Sequence, residues 1–187
     1  MTTRIALAGA HETGKSTLAA ELARALPGHR VVEEPYYALE AEGYLFAAPP
    51  TLEDFEAQLE RSLRNVREER GDMIFDRSPA DYLAYMLAHR EAAHADVSSW
   101  LPRVADAVAT LDLTVFVPIE RPDRISAERE AGRLRRREHA TLRAALVGDE
   151  WGLGVDVLEV GGTPGERARE VLVRLASIPP GVRADAP

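Results

Sequence analysis

Residues 9–16 read Gly9-Ala10-His11-Glu12-Thr13-Gly14-Lys15-Ser16, the G-x-x-x-x-G-K-S/T pattern of a loop that turns its backbone N–H groups towards phosphates. The flanks of this loop constrain the fold further. Arg4–Ala8 is an apolar run of strand length, and residues 15–26 place Leu18, Leu22, Ala25 and Leu26 on one helical face. Strand, glycine loop and helix therefore follow in the order that aims a helix N-terminus, with its partial positive charge, at an anion. Composition adds one point: Lys15 is the only lysine, against 22 arginines. A sequence that uses arginine everywhere else but keeps lysine here implies a need for a compact ammonium, which a planar guanidinium does not replace. A Gly-rich turn before a surface helix is the bland alternative, and it leaves that placement unexplained.

The remaining chain alternates strands and helices without an internal repeat. Arg30-Val31-Val32-Glu33 reads as a second strand, Met73-Ile74-Phe75-Asp76 as a third, and Leu113-Thr114-Val115-Phe116-Val117 as a fourth, stopped by Pro118. Val155-Asp156-Val157-Leu158-Glu159-Val160 is less apolar and is placed towards a sheet edge. Further helices are predicted over about 52–70, opened by the cap-like Thr51-Leu52-Glu53-Asp54, and over about 79–94, 98–111 and 164–176. This pattern predicts an α/β fold: a parallel sheet of about five strands, helices on both faces and ligands at the carboxyl ends of the strands. At 187 residues the expectation is one domain over 1–177, with an insert at about 119–148 and a tail at 178–187.

A net charge of −8 argues against general attraction to nucleic acid or membrane. The absence of cysteine removes disulfides, thiol nucleophiles and cysteine metal sites. No signal-peptide pattern or bilayer-length apolar stretch is present, so the cytoplasm is the expected compartment.

Chemistry is expected at the strand ends. Strand two delivers Glu33-Glu34-Pro35 and strand three Asp76-Arg77-Ser78. Asp76 has the placement of a carboxylate that supports Mg²⁺, and the structural alternative is a cap on the next helix. Arg77 is either its ion-pair partner or a cation for the transferred phosphoryl group or the acceptor. Glu34 can accept the proton of an acceptor hydroxyl, with Glu33 as the neighbouring alternative and a solvated acidic turn as the bland one. Strand alternation sends these two glutamates to opposite faces, and Pro35 stops the strand. Between strands four and five lie Arg121, Arg124, Arg129, Arg133, Arg135, Arg136, Arg137 and Arg143. Such a run is ordinarily a solvated face, balanced here by Glu128, Glu130 and Glu138. Its position also suits a lid whose arginines reach the phosphates on closure, with Arg133 and either Arg136 or Arg137 as candidates. His89 and His94 match no metal-ligand set and are expected at the surface; Gln58, the only glutamine, is expected there too, the alternative being that it reads an acceptor's polar edge from the long helix.

Glu12-Thr13-Gly14-Lys15-Ser16-Thr17 and Asp76-Arg77-Ser78-Pro79-Ala80-Asp81-Tyr82-Leu83-Ala84-Tyr85 resemble the small ATPase/kinase family related to the ribosylnicotinamide kinase domain of bacterial nicotinamide-nucleotide regulators. Residues 135–139, 155–160 and the final helix resemble it too. More distantly, Glu34-Pro35, Asp76-Arg77-Ser78 and Arg133-x-Arg135-x-x-Glu138 follow the order of the E-P, E-R-S and R-x-R-x-x-E motifs of deoxynucleoside kinases. The resemblance implies a P-loop NTPase fold of the kinase type with an arginine-rich lid, and ATP and Mg²⁺ as cofactors. It implies a nucleotide site at Gly9, His11, Glu12, Thr13, Gly14, Lys15, Ser16 and Thr17, with Lys15 on the β- and γ-phosphates, Ser16 on Mg²⁺ and Thr17 near the α-phosphate. It further implies Glu34 as hydroxyl base, Asp76 as a Mg²⁺ partner, Arg77 as an acceptor or phosphate contact, and Arg133 and Arg135 as lid arginines, with Arg136 and Arg137 beside them. Asp76 stands where deoxynucleoside kinases carry glutamate, and its shorter reach favours a water-bridged metal contact.

Three function classes follow. The favoured one is an ATP- and Mg²⁺-dependent kinase acting on a hydroxyl or phosphate of a nucleoside-like or other small metabolite. The second is an AAA-like P-loop ATPase or regulatory nucleotide-binding protein with no small-molecule acceptor, and the third a binding module without turnover. Reading guanine takes an Asn-Lys-x-Asp motif, and no second lysine remains to build one, so a GTP switch is disfavoured. A large ring ATPase is disfavoured by the length. The expected partner is a small-molecule phosphate acceptor, with neither nucleic acid nor membrane, and a homodimer is left open.

Overall fold

The computed structural model describes residues 2–120, 123 and 129–178, with 129–131 in backbone only. Strands β1 (Arg4–Ala8), β2 (Arg30–Val32), β3 (Met73–Asp76), β4 (Leu113–Phe116) and β5 (Val157–Glu159) form one sheet. Every pairing is parallel, and the order is β2-β3-β1-β4-β5. The connecting helices are α1 (Lys15–Ala25), α2 (Pro35–Ala41), α3 (Leu52–Glu68), α4 (Pro79–Ala88), α5 (Val97–Val108), α6 (Arg129–Leu146) and α7 (Pro164–Ser177).

The two-residue period of the strands sorts their side chains into two layers. Ile5, Leu7, Ile74, Leu113 and Val115 pack with Leu18 and Leu22 of α1 and Ala168 and Val171 of α7. On the opposite face Ala8 and Phe116 join Phe55, Leu59, Leu83, Val104 and Leu142 from α3 to α6, while Ala6, Met73 and Phe75 meet Val66. Burial on both faces is why β1, β3 and β4 read as continuous apolar runs. Each fully buried leucine or isoleucine here contributes about 1.5–3 kcal/mol.

Several expectations change in the structure. β2 ends at Val32 rather than Glu33, because Pro35 opens α2, with Glu34 at its N-cap position. The helix expected over 79–94 ends at Ala88, where His89 adopts extended geometry, and a separate 3-10 turn covers Ala92–His94. The fifth strand shortens to three residues, at the sheet edge as expected. Thr51 and Asp54 do form a reciprocal capping box at the start of α3. Within the expected insert, α6 is a regular helix that packs chiefly on α4. Of the expected tail, Ile178 packs against the α1–α7 core, and the rest lies outside the described residues. Among the described residues no helix is long and apolar enough to cross a membrane.

Candidate functional site

β1 is the central strand, and its carboxyl end runs directly into the loop. At Gly9, with φ 149°, a Cβ would stand 2.3 Å from the Val117 carbonyl oxygen, so the residue after β4 leaves room only for hydrogen. Glu12 at φ 58° and Gly14 at φ 91° then turn the chain into α1. Lys15 opens that helix; it is buried, and its Nζ donates to the Ala10 carbonyl at 2.8 Å. Thr13 Oγ1 donates to the same carbonyl at 3.0 Å. No side chain caps α1, which leaves its first amides to another acceptor, and Ser16 and Thr17 in the first turn are exposed. His11 and Glu12 are exposed at the crest of the loop.

A second group gathers where β2 and β3 end beside β1. Asp76 lies opposite Leu7, is buried, and its Oδ1 has no hydrogen-bond partner among the described residues. It is not a helix cap, because Ser78 caps α4 and Asp81 completes that capping box. Arg77 sits at φ 90°, a backbone conformation that residues with side chains rarely keep without outside support. Its buried guanidinium supplies that support. Nε donates to Glu34 Oε1 at 2.5 Å, Nη1 donates to the Gly9 carbonyl at 3.3 Å, and Nη1 lies 3.5 Å from Asp81 Oδ1. The rings of Tyr82 and Tyr85 lie 5.9 and 5.4 Å from its Cζ. Arg77 thus ties Glu34 to the loop. The strand-alternation argument for choosing between Glu33 and Glu34 does not apply, since neither lies on a strand; Glu33 is exposed, whereas Glu34 meets Arg77.

Two carboxyls that sequence reasoning left unassigned complete the cluster. Asp81 is wholly buried, with Oδ1 accepting the Gly9 N–H at 2.8 Å and Oδ2 the Ser78 N–H at 3.1 Å. Burial pushes its carboxyl up to about 6, against the pull of Arg77 and Lys15. Glu138 of α6 is also wholly buried, and neither of its oxygens has a hydrogen-bond partner among the described residues. Burial, reinforced by the Asp81 charge, pushes it up to about 8. Lys15 moves the opposite way: burial and Arg77 bring it down to about 8, with Asp81, Glu34 and Glu138 opposing. In sequence, Asp81 stands without a role inside the 76–85 stretch that carries the resemblance, and Glu138 reads as a counter-charge on an arginine-rich helix.

Of the α6 arginines, Arg135 is buried and donates from Nε to the His11 carbonyl at 2.7 Å, with Asp123 on its Nη1. Arg133, Arg136 and Arg137 are exposed, Arg143 pairs with Glu159 at 3.1 Å, and Arg121 and Arg124 lie outside the described residues. A further arginine, Arg167 of α7, reaches the loop at the Thr13 carbonyl. Gln58 and His89 correct the surface expectation, for both are buried. Packing of α3 on α4 encloses them, with Phe55 stacked on Tyr85 at 4.9 Å and set edge-on to His89. Among the described residues no cluster of three acidic or histidine side chains could hold a metal ion alone.

Strand order, loop and strand-end carboxylates together define a P-loop fold of the kinase type. Residues 4–167 match the AAA domain family, and the chain belongs to it. Among solved structures, deoxyadenosine kinase from M. mycoides with bound dATP is similar at 14% identity, over 94% of this chain and 100% of that one, with a TM-score of 0.67. The NadR protein in complex with NAD and AMP-PNP is similar at 19% identity and a TM-score of 0.70, over 100% of this chain but 51% of that one, so this chain spans about half its length. Shikimate kinase from Aquifex aeolicus is similar at 20% identity, over 93% of this chain and 96% of that one, with a TM-score of 0.56. These likenesses show a shared fold, the one implied by residues 12–17 and 76–85. No curated protein matches the chain in sequence.

Proposed function

We propose that the protein is an ATP- and Mg²⁺-dependent kinase that phosphorylates a hydroxyl of a small, nucleoside-like metabolite. The observation that carries this reading is the Arg77 bridge: one buried guanidinium joins the Glu34 carboxylate to the Gly9 carbonyl, so a candidate base and the phosphate loop form one unit. The residues present fit a triphosphate and its cation. The uncapped amides of α1, the Lys15 ammonium, the exposed Ser16 hydroxyl and Asp76 Oδ1, without a partner among the described residues, are the donors and acceptors that these groups need.

When bound, ATP supplies the phosphoryl group and Mg²⁺ offsets its charge. Lys15 Nζ exchanges the Ala10 carbonyl for phosphate oxygen. Arg77 holds Glu34 Oε1, which leaves Oε2 to orient the acceptor hydroxyl and take its proton. Arg77 is itself balanced by Glu34 and Asp81, Arg135 by Asp123 and Arg167 by Glu120. With those buried cations already matched, a neutral hydroxyl acceptor is favoured over a phosphate monoester.

ATP consumption followed with nucleosides, nucleoside monophosphates and small alcohols tests this reading. Stimulation by one acceptor, with phosphate appearing on its hydroxyl, is the expected result; unstimulated hydrolysis to free phosphate supports the regulatory ATPase instead. Glu34→Gln is expected to lower kcat by about 10²- to 10⁴-fold and to leave ATP affinity within about twofold. An unchanged kcat removes Glu34 from the role of base.

A further inference from the structure

A loop that turns its amides inward sends carbonyls outward, and those oxygens need donors of their own. Beyond the Gly9 carbonyl, which takes Arg77 Nη1 at 3.3 Å, three are met by cations: Ala10 by Lys15 Nζ at 2.8 Å, His11 by Arg135 Nε at 2.7 Å and Thr13 by Arg167 Nη1 at 2.8 Å. The two arginines are built alike. Each is buried, each gives one nitrogen to a loop carbonyl, and each is anchored through another to a carboxylate, Asp123 for Arg135 and Glu120, at 2.5 Å, for Arg167. Both carboxylates lie on the stretch that follows β4. Arg167 also lies close against the loop at Gly14, where an added Cβ would stand 3.2 Å from its Nη1. The loop needs such support at Glu12, a residue with a side chain held at φ 58°, since strained backbone persists only where its surroundings over-determine it.

We propose that Arg167 is a positioning residue of the nucleotide site: fixed by Glu120, it holds the Thr13 carbonyl outward and so keeps the loop in its phosphate-accepting shape before any nucleotide arrives. It acts through the loop, as one arm of a brace whose other arm is Arg135. The ligand it serves is a nucleoside triphosphate, and to that extent the inference rests on the function proposed above.

Amide hydrogen exchange on the whole protein without nucleotide reads the brace directly. In Arg167→Met, exchange across residues 9–17 is expected to rise about tenfold, from the loss of one charge-assisted hydrogen bond, while β3 and β4 keep their rates. Arg167→Lys, which keeps the charge but cannot span Thr13 and Glu120 together, loosens the same segment. Glu120→Gln changes only a half-exposed anchor, so it decides the matter even if Arg167→Met fails to fold, and a smaller rise confined to the same segment is expected. By titration calorimetry, ATP binds Arg167→Met about tenfold more weakly. Unchanged loop exchange in Arg167→Met and Glu120→Gln overturns the brace, and so does uniform acceleration across the whole sheet, which marks a general stabilising role. Lys15→Ala separates the two readings: if it binds ATP like the parent protein, the nucleotide site is misassigned, whereas loop exchange still decides the brace.

Discussion

A carboxyl that is wholly buried with no hydrogen bond among the described residues, as Glu138 is, keeps its proton well above the usual range, and this couples folding to pH. Asp81 behaves the same way to a smaller degree. Between its unfolded value of 4.5 and its folded value of about 8, Glu138 is protonated in the folded chain but ionised in the unfolded one. The folded state binds more protons across that window, so stability falls as pH rises; Asp81 adds the same slope between 3.8 and about 6. Lys15 has the opposite sign. Above about 8 the folded lysine has lost its proton, while the unfolded one holds it to 10.5, and stability recovers as pH rises. The Tm of the nucleotide-free protein is therefore expected to fall by on the order of 5 °C from pH 5 to pH 8 and to rise again towards pH 10. Glu138→Gln should flatten the falling limb and raise Tm at pH 8 with little change at pH 5. A flat profile in both proteins rules out this burial of charge. None of this was legible in the sequence, where a glutamate three residues after Arg135 reads as its solvated counter-charge.

At the scale of elements, apolar runs and glycines were legible and charged helical faces were not. β1, β3 and β4 stood out because both faces of the sheet are covered, and the loop stood out through its glycines and lone lysine. α2 was missed because seven residues give little periodicity and Pro35 serves equally as a strand stop or a first helical residue. The arginines of α6 were legible as a group but not individually. Which of them turns inward is decided by how α6 lies on α4, a contact that brings Arg135 to a carbonyl 124 positions earlier. That geometry separates them experimentally. Arg135→Ala is expected to weaken ATP binding about tenfold, because a charge-assisted bond to the loop is lost. Arg136→Ala and Arg137→Ala, at exposed positions, should change it by less than about twofold. Equal losses at all three positions, measured by titration calorimetry, would mean that the helix reaches the nucleotide with its outer face as well.

The whole molecule is needed to assemble the site. Lys15 and Gly9 come from the first crossover, Glu34 from the end of β2, Arg77 from the end of β3, Asp81 from the first turn of α4, Arg135 from α6 and Arg167 from α7, which bonds a residue 154 positions away. The strand order explains why these parts meet: β1 lies between β3 and β4, so the loop is flanked by the carboxyl ends of both, and β2 brings Glu34 in from beyond β3. An unfolded chain has no such convergence, so a nucleotide that binds here binds only the native state and stabilises it by mass action. At ATP concentrations about 100 times the Kd, the gain is about 2.7 kcal/mol, which for a chain of this size raises Tm by roughly 5–10 °C. Lys15→Ala should abolish this rise while leaving the nucleotide-free Tm at pH 7 unchanged or higher, because the substitution removes a buried ammonium whose burial is unfavourable. The comparison distinguishes loss of binding from loss of fold, since a misfolded variant lowers both curves. A rise that survives Lys15→Ala intact places the nucleotide elsewhere on the molecule, and the Arg77 bridge then has no phosphate to serve.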